Sequence, residues 1–114
     1  MSFFLVLSTA GSEKEGRTIG ETLVKKRLAA CVNIIPGITS FFLWEGKLCK
    51  EKEVILLIKT TERNIKELAN NIKKIHTYSV PEIVAVKIGK GDKKYLDWVE
   101  SSVKKRRERG KKTY

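Results

Sequence analysis

One histidine and two cysteines limit the chemistry open to this chain. His76 stands six residues before Glu82, and imidazole with carboxylate is a donor pair that copper(II) and zinc accept. A lone histidine after a helix is more often a surface residue than a ligand. Cys31 and Cys49 form no C-x-x-C, and no further cysteine completes a zinc set. Cys31 sits in an apolar run and reads as a structural thiol, whereas Cys49 follows a polar turn and is expected near the surface. Nothing supports a disulfide. Catalysis is not legible either: there is no Ser/His/Asp pattern, no nucleophile elbow and no second histidine. A cleft holding Trp44, Lys59, Tyr78 and Glu82 would suit a small anion anchored by Lys59. The competing reading makes Lys59 half of an ion pair across an interface.

The net charge of +11 invites a nucleic-acid reading, but +6 of it lies in residues 104–112, KKRRERGKK. A tail of that kind supports at most nonspecific, salt-sensitive contact. RNA readers of comparable topology stack bases on sheet aromatics, and the central run here, EVILLIKT from Glu53 to Thr60, is aliphatic. The apolar run Phe3–Leu7 is too short for a membrane span and has no basic segment before it, so a cytoplasmic protein without membrane contact is expected. The chain has no Gln and one Met, and 32% of its residues are charged, which fits a thermophile's composition.

The elements that would position these residues follow from pattern. Phe3–Thr9 reads as a strand. Ser12-Glu13-Lys14-Glu15 is a capping box opening a helix to about Arg27, with Ile19 and Leu23 on its apolar stripe. Gly16 and Gly20, four apart on one face, point to close packing. Ala29–Trp44 reads as one long strand bent at Pro36-Gly37 and closed by the turn Trp44-Glu45-Gly46-Lys47. Glu53–Thr60 is its antiparallel partner. Thr61 caps a helix striped by Ile65, Leu68, Ile72 and Ile75. Glu82–Ile88 is a fourth strand, and Asp92 caps a last helix with Leu96, Val99 and Val103 on one face. The order β-α-β-β-α-β plus a helix is the α+β, ferredoxin-like split βαβ plan, in one domain over 1–103 with a basic tail over 104–114.

Two features point to assembly. Sixteen residues from Ala29 to Trp44 span roughly 50 Å, more than a compact domain of this size accommodates. The strand Glu53–Thr60 is also apolar on both faces: Val54, Leu56 and Ile58 point one way, Ile55 and Leu57 the other. Helices on one side cannot cover both; the last helix could cover part of the second face, and other copies of the chain are the better candidate. Trp44 reads as an anchor between copies, and Trp98 as core or interface packing.

The sequence resembles the CutA family of divalent-cation tolerance proteins. The resemblance is carried by Arg27-Leu28-Ala29-Ala30-Cys31-Val32-Asn33, Ile35-Pro36-Gly37-Ile38-Thr39-Ser40 and Trp44-Glu45-Gly46-Lys47. It continues in Leu57-Ile58-Lys59-Thr60, His76-Thr77-Tyr78-Ser79-Val80-Pro81-Glu82-Ile83 and Tyr95-Leu96-Asp97-Trp98. It implies a homotrimer with clefts between subunits and a role in binding copper or another divalent cation, with His76 and Glu82 as metal ligands. The chain departs from the family's bacterial copper pattern at Ser8, where a cysteine is expected, and at Thr77, where proline follows the histidine. Both departures imply weaker binding that is less selective for copper(I). The alternative function is that of a small-ligand sensor or scaffold using the same clefts, by analogy with PII proteins.

Overall fold

A computed structural model of the chain describes residues 2–105. Its elements are β1 (Phe3–Ala10), α1 (Glu13–Lys25), β2 (Cys31–Trp44), β3 (Lys47–Thr61), a 3₁₀ turn (Glu62–Asn64), α2 (Ile65–Ile75), β4 (Val84–Lys87) and α3 (Lys93–Ser102). The four strands form one antiparallel sheet in the order β2-β3-β1-β4, the split βαβ arrangement expected.

Strand alternation sorts the sheet into two faces. Val6, Val54, Leu56 and Ile58 point to the side where α1 and α2 lie, and with Ile19, Leu23, Leu68 and Ile72 they make the buried core. The glycines of α1 let it approach closely: a Cβ on Gly16 would stand 2.9 Å from Val54 Cγ2, and one on Gly20 would stand 3.2 Å from Val32 Cγ1. Ser12 Oγ accepts from Glu15 N at 3.1 Å, which starts the helix where the capping box puts it. α2 starts later than expected. Thr61 makes no side-chain cap, and the chain passes through the 3₁₀ turn before Ile65.

On the other face, α3 covers only one end. Val99 and Val103 pack there with Ala30 and Phe3. Arg27 fastens this helix, donating from Nε to Ser102 O at 3.2 Å and from Nη2 to Ser101 O at 3.1 Å, while Lys104 N donates to Arg27 O at 2.8 Å. Most of the remaining tail, residues 106–114, lies outside the described residues. Val84 and Val86 on β4 are left exposed.

β3 is twice as long as its apolar run suggested, because its polar half, Lys47–Lys52, pairs with β2 all the way to the turn. β1 ends opposite Val54, so Ile38–Trp44 and Lys47–Glu53 continue as a two-stranded arm. Glu45 and Gly46 both have positive φ, 52° and 80°, the signature of a two-residue turn that follows the natural strand twist. A register shift between Ile35 and Ile38 places one extra residue in β2, with Gly37 at φ 73°. The extra residue reverses the facing of β2, so that Phe42 and Trp44 share a side with Asn33 and Ile35. The arm sets the long dimension of the molecule, which measures 50 × 32 × 24 Å.

Candidate functional site

The polar cluster of the fold gathers where the arm leaves the sheet. His76 caps the C-terminus of α2, its N–H donating to Ile72 O at 2.9 Å, and turns its ring inward. The imidazole is fully buried, which corrects the expectation of a surface residue. The reason is a pair of long-range partners. Nε2 lies 2.6 Å from the carbonyl of Thr9 and must therefore donate, and Nδ1 accepts from Tyr78 N at 3.0 Å. These contacts define the neutral Nε2–H tautomer.

Glu15 closes the loop from the other side. One carboxylate oxygen accepts from Gly11 N at 3.2 Å and the other from Thr77 N at 2.8 Å, with His76 Nδ1 at 3.5 Å. Burial alone would raise its pKa. The N–H bonds from Thr77 and Gly11 outweigh that and hold the carboxyl below its ordinary 4.5. Glu15 therefore contributes stability that is complete above the unfolded-state value and is lost as the pH falls through the lower folded one. Thermal unfolding between about pH 6 and pH 3 should show a drop in midpoint below the ordinary carboxylate value that is shallower in Glu15→Gln.

Tyr78 completes the group. Its hydroxyl donates to Glu53 Oε2 at 2.6 Å, and its ring centroid stands 4.6 Å from that of His76. Burial, and then the hydrogen bond and charge of Glu53, raise the phenol well above its ordinary value of 10.0, so it is protonated across the physiological range. Glu53, itself buried, sits opposite Ile38 at the first pair beyond the bulge. Sequence reasoning missed both carboxylates. Glu15 was read only as a capping residue and Glu53 only as a strand end, and their partners lie 62 and 25 residues away.

The other predicted residues are scattered within one chain. Glu82 is exposed ahead of β4. Ser8 is fully buried under the helices, and its Oγ has no hydrogen-bond partner. Ser8→Ala should therefore raise stability by about 1 kcal/mol in chemical denaturation, by removing an unsatisfied buried group. Lys59, Glu53 and Lys47, which pairs with Trp44, lie about 20 Å apart in turn along β3, so Trp44, Lys59 and Tyr78 share no cleft in a single subunit. Trp98 is half-exposed rather than core. Both cysteines are free and half-buried. Among the described residues, no three His, Cys, Asp or Glu side chains come together closely enough to hold a metal ion. Nor is any described helix long and apolar enough to cross a membrane.

Comparison with known proteins gives this geometry its context. Residues 4–102 match the family described as CutA1 divalent ion tolerance protein. A divalent-cation tolerance protein CutA of Thermus thermophilus is 47% identical over 98 residues, covering 86% of this chain and 95% of that protein. A chloroplastic CutA 1 of Oryza sativa is 39% identical over 88% of this chain, which spans only 56% of that longer protein. The solved structure of a periplasmic divalent cation tolerance protein CutA from Archaeoglobus fulgidus superposes with a TM-score of 0.87 at 39% identity, covering 90% of this chain and 99% of that one.

Proposed function

Because the chain belongs to the CutA1 divalent ion tolerance family, we propose that it binds copper or another divalent cation as a homotrimer, in clefts that form where subunits meet. The observation that carries this reading is the arm. Phe41, Leu43 and Leu48 are 65%, 71% and 73% exposed on it, and Trp44 stands half-exposed at its tip. A long apolar hairpin in water is an aggregation hazard unless a partner covers it. The valines of β4 and the sheet face that α3 leaves open call for the same cover. The number three comes from the resemblance of the motifs.

Among the described residues one chain gathers no set of three cation donors, so the proposed binding draws on a boundary between copies. His76 keeps one lone pair, on Nδ1, and a metal there must displace the Tyr78 N–H. Glu82 offers an exposed carboxylate. With serine at position 8 there is no thiolate in support, and imidazole with carboxylate favours copper(II) or zinc over copper(I). No reaction is assigned. The cytoplasm is the proposed compartment, supported by the two free thiols.

Native mass spectrometry with and without copper and zinc tests both halves of the proposal. A trimer that gains bound metal, and gains less of it in Glu82→Gln, is expected. A monomer would remove the assembly, and a trimer that takes up no metal would remove the cation.

A further inference from the structure

Three connections of the chain meet at the end of the sheet opposite the arm. They are residues 26–30 between α1 and β2, 62–64 between β3 and α2, and 88–92 between β4 and α3. Hydrogen bonds fasten this end together. Glu62 N donates to Ser2 O, Ile88 N to Phe3 O and Lys104 N to Arg27 O, while the side chains of Arg63 and Asn64 donate to Lys104 O. The charge of the chain collects here. Residues 25–27, 62–67 and 87–105 hold eleven Lys and Arg against five Asp and Glu, a net +6. Residues 106–114, which follow on from this end, hold five against one, a net +4. Every other residue together supplies only +1 of the total +11.

Pairing within the chain leaves most of that charge in place. Glu100 serves Arg63 and Lys105, Glu67 serves Lys104, and Asp97 serves Lys93. Arg27 donates to the carbonyls of Ser101 and Ser102, which hold it without neutralising it. Lys25, Lys26, Lys66, Lys87, Lys90 and Lys94 are exposed, and among the described residues no carboxylate lies within ion-pair distance of them. A one-signed end of this kind attracts a polyanion. A nucleic-acid duplex carries a phosphate charge for about every 1.7 Å of its axis, so it presents roughly 19 of them across the 32 Å width of the molecule. The arginines add forked pairing with phosphate. Residues 104–113 hold no large apolar side chain that would enter a lipid surface, which favours nucleic acid over a membrane.

We propose that the end of the subunit opposite the arm is a docking surface for nucleic acid, held by its phosphate backbone without sequence preference. The folded lysines place the contacts, and residues 106–114 add charge to them. Phosphate contacts carry no sequence information, so affinity is set by charge and salt. His76 meets Thr9 near the far end of β1, about 20 Å from Phe3, so this surface stands apart from the cation reading.

The test is fluorescence anisotropy of a labelled, mixed-sequence DNA duplex of about 20 base pairs, titrated with the full chain at several salt concentrations. Saturable binding is expected, through about six phosphates, and it should weaken about a thousandfold between about 50 and 200 mM salt. The triple variant Lys25→Gln, Lys66→Gln, Lys90→Gln should lower the slope of log affinity against log salt by about three. It should keep its thermal midpoint, because none of the three makes an ion pair. Removing the same charge elsewhere, with Lys14→Gln, Lys73→Gln, Lys74→Gln, should leave the slope unchanged. Removing residues 106–114 should weaken binding without abolishing it. Absence of saturable binding overturns the proposal, as does an equal loss in the two triple variants, which would make net charge the cause. Binding that vanishes with residues 106–114 and ignores the first triple variant also overturns the folded surface. Tighter binding to phosphatidylserine vesicles than to the duplex would make the partner a membrane, and the nucleic-acid proposal would be wrong.

Discussion

Replacing His76 with alanine should destabilise the fold by about 3 kcal/mol, enough to lower the thermal midpoint by roughly 10 °C. The substitution removes a fully buried ring and leaves two buried backbone groups, the Thr9 carbonyl and the Tyr78 N–H, without partners. It also frees the turn at 76–78 from the end of β1, so that Glu15 alone ties Thr77 to α1. Urea unfolding measures the loss directly, and a change below 1 kcal/mol would mean that the ring does not hold the turn. The effect matters for function because any loss of metal binding in this variant has two possible origins. Stability and metal affinity must be measured on the same sample. Only a loss of affinity in a variant that remains fully folded at the assay temperature identifies His76 as a ligand. If His76→Ala stays folded and binds copper as before, His76 is structural alone.

The second large effect is expected at the arm. Substituting Phe41, Leu43 and Leu48 together by serine should convert the assembled protein to smaller species in sedimentation or native mass spectrometry. Each large apolar side chain contributes about 1.5–3 kcal/mol when fully buried, so three of them change an association constant by a factor of at least about 10³. The subunit's own fold should survive. These residues lie beyond the last pairing of β3 with β1, and all three are exposed in the single chain. Retention of the full assembled mass in the triple variant would show that the arm is not what holds the copies together. The Ser8→Ala and Glu15→Gln expectations probe the subunit alone, and they separate changes within the fold from changes between copies.

The subunit was largely legible in the sequence because its helices and strands are locally consistent. The capping box at Ser12, the stripe of Ile19 and Leu23, the Asp92 cap and the two-residue turn at Glu45-Gly46 all use interactions within a few residues of one another. The close approach of α1 was readable from Gly16 and Gly20, and the structure supplies the valines that require it. The length of β3 was not readable. Its polar half, KLCKEKE, has no apolar alternation and forms a strand only because β2 lies beside it. His76 was misplaced for a related reason. A polar residue after a helix is buried only when distant backbone supplies its partners, and those partners are 67 residues away on β1.

By itself the sequence determined the fold plan and the family, because each depends on residue pattern and order. Tertiary structure alone decided which polar residues meet. Folding brought Glu15 and Glu53 to the turn that His76 anchors, carried Lys59 some 20 Å away from Tyr78, and placed it beside Asn33 and Cys31 instead. Side-chain chemistry is local in space and blind to position along the chain. Strand register and a single extra residue at the bulge, rather than any motif, therefore set where a site can form.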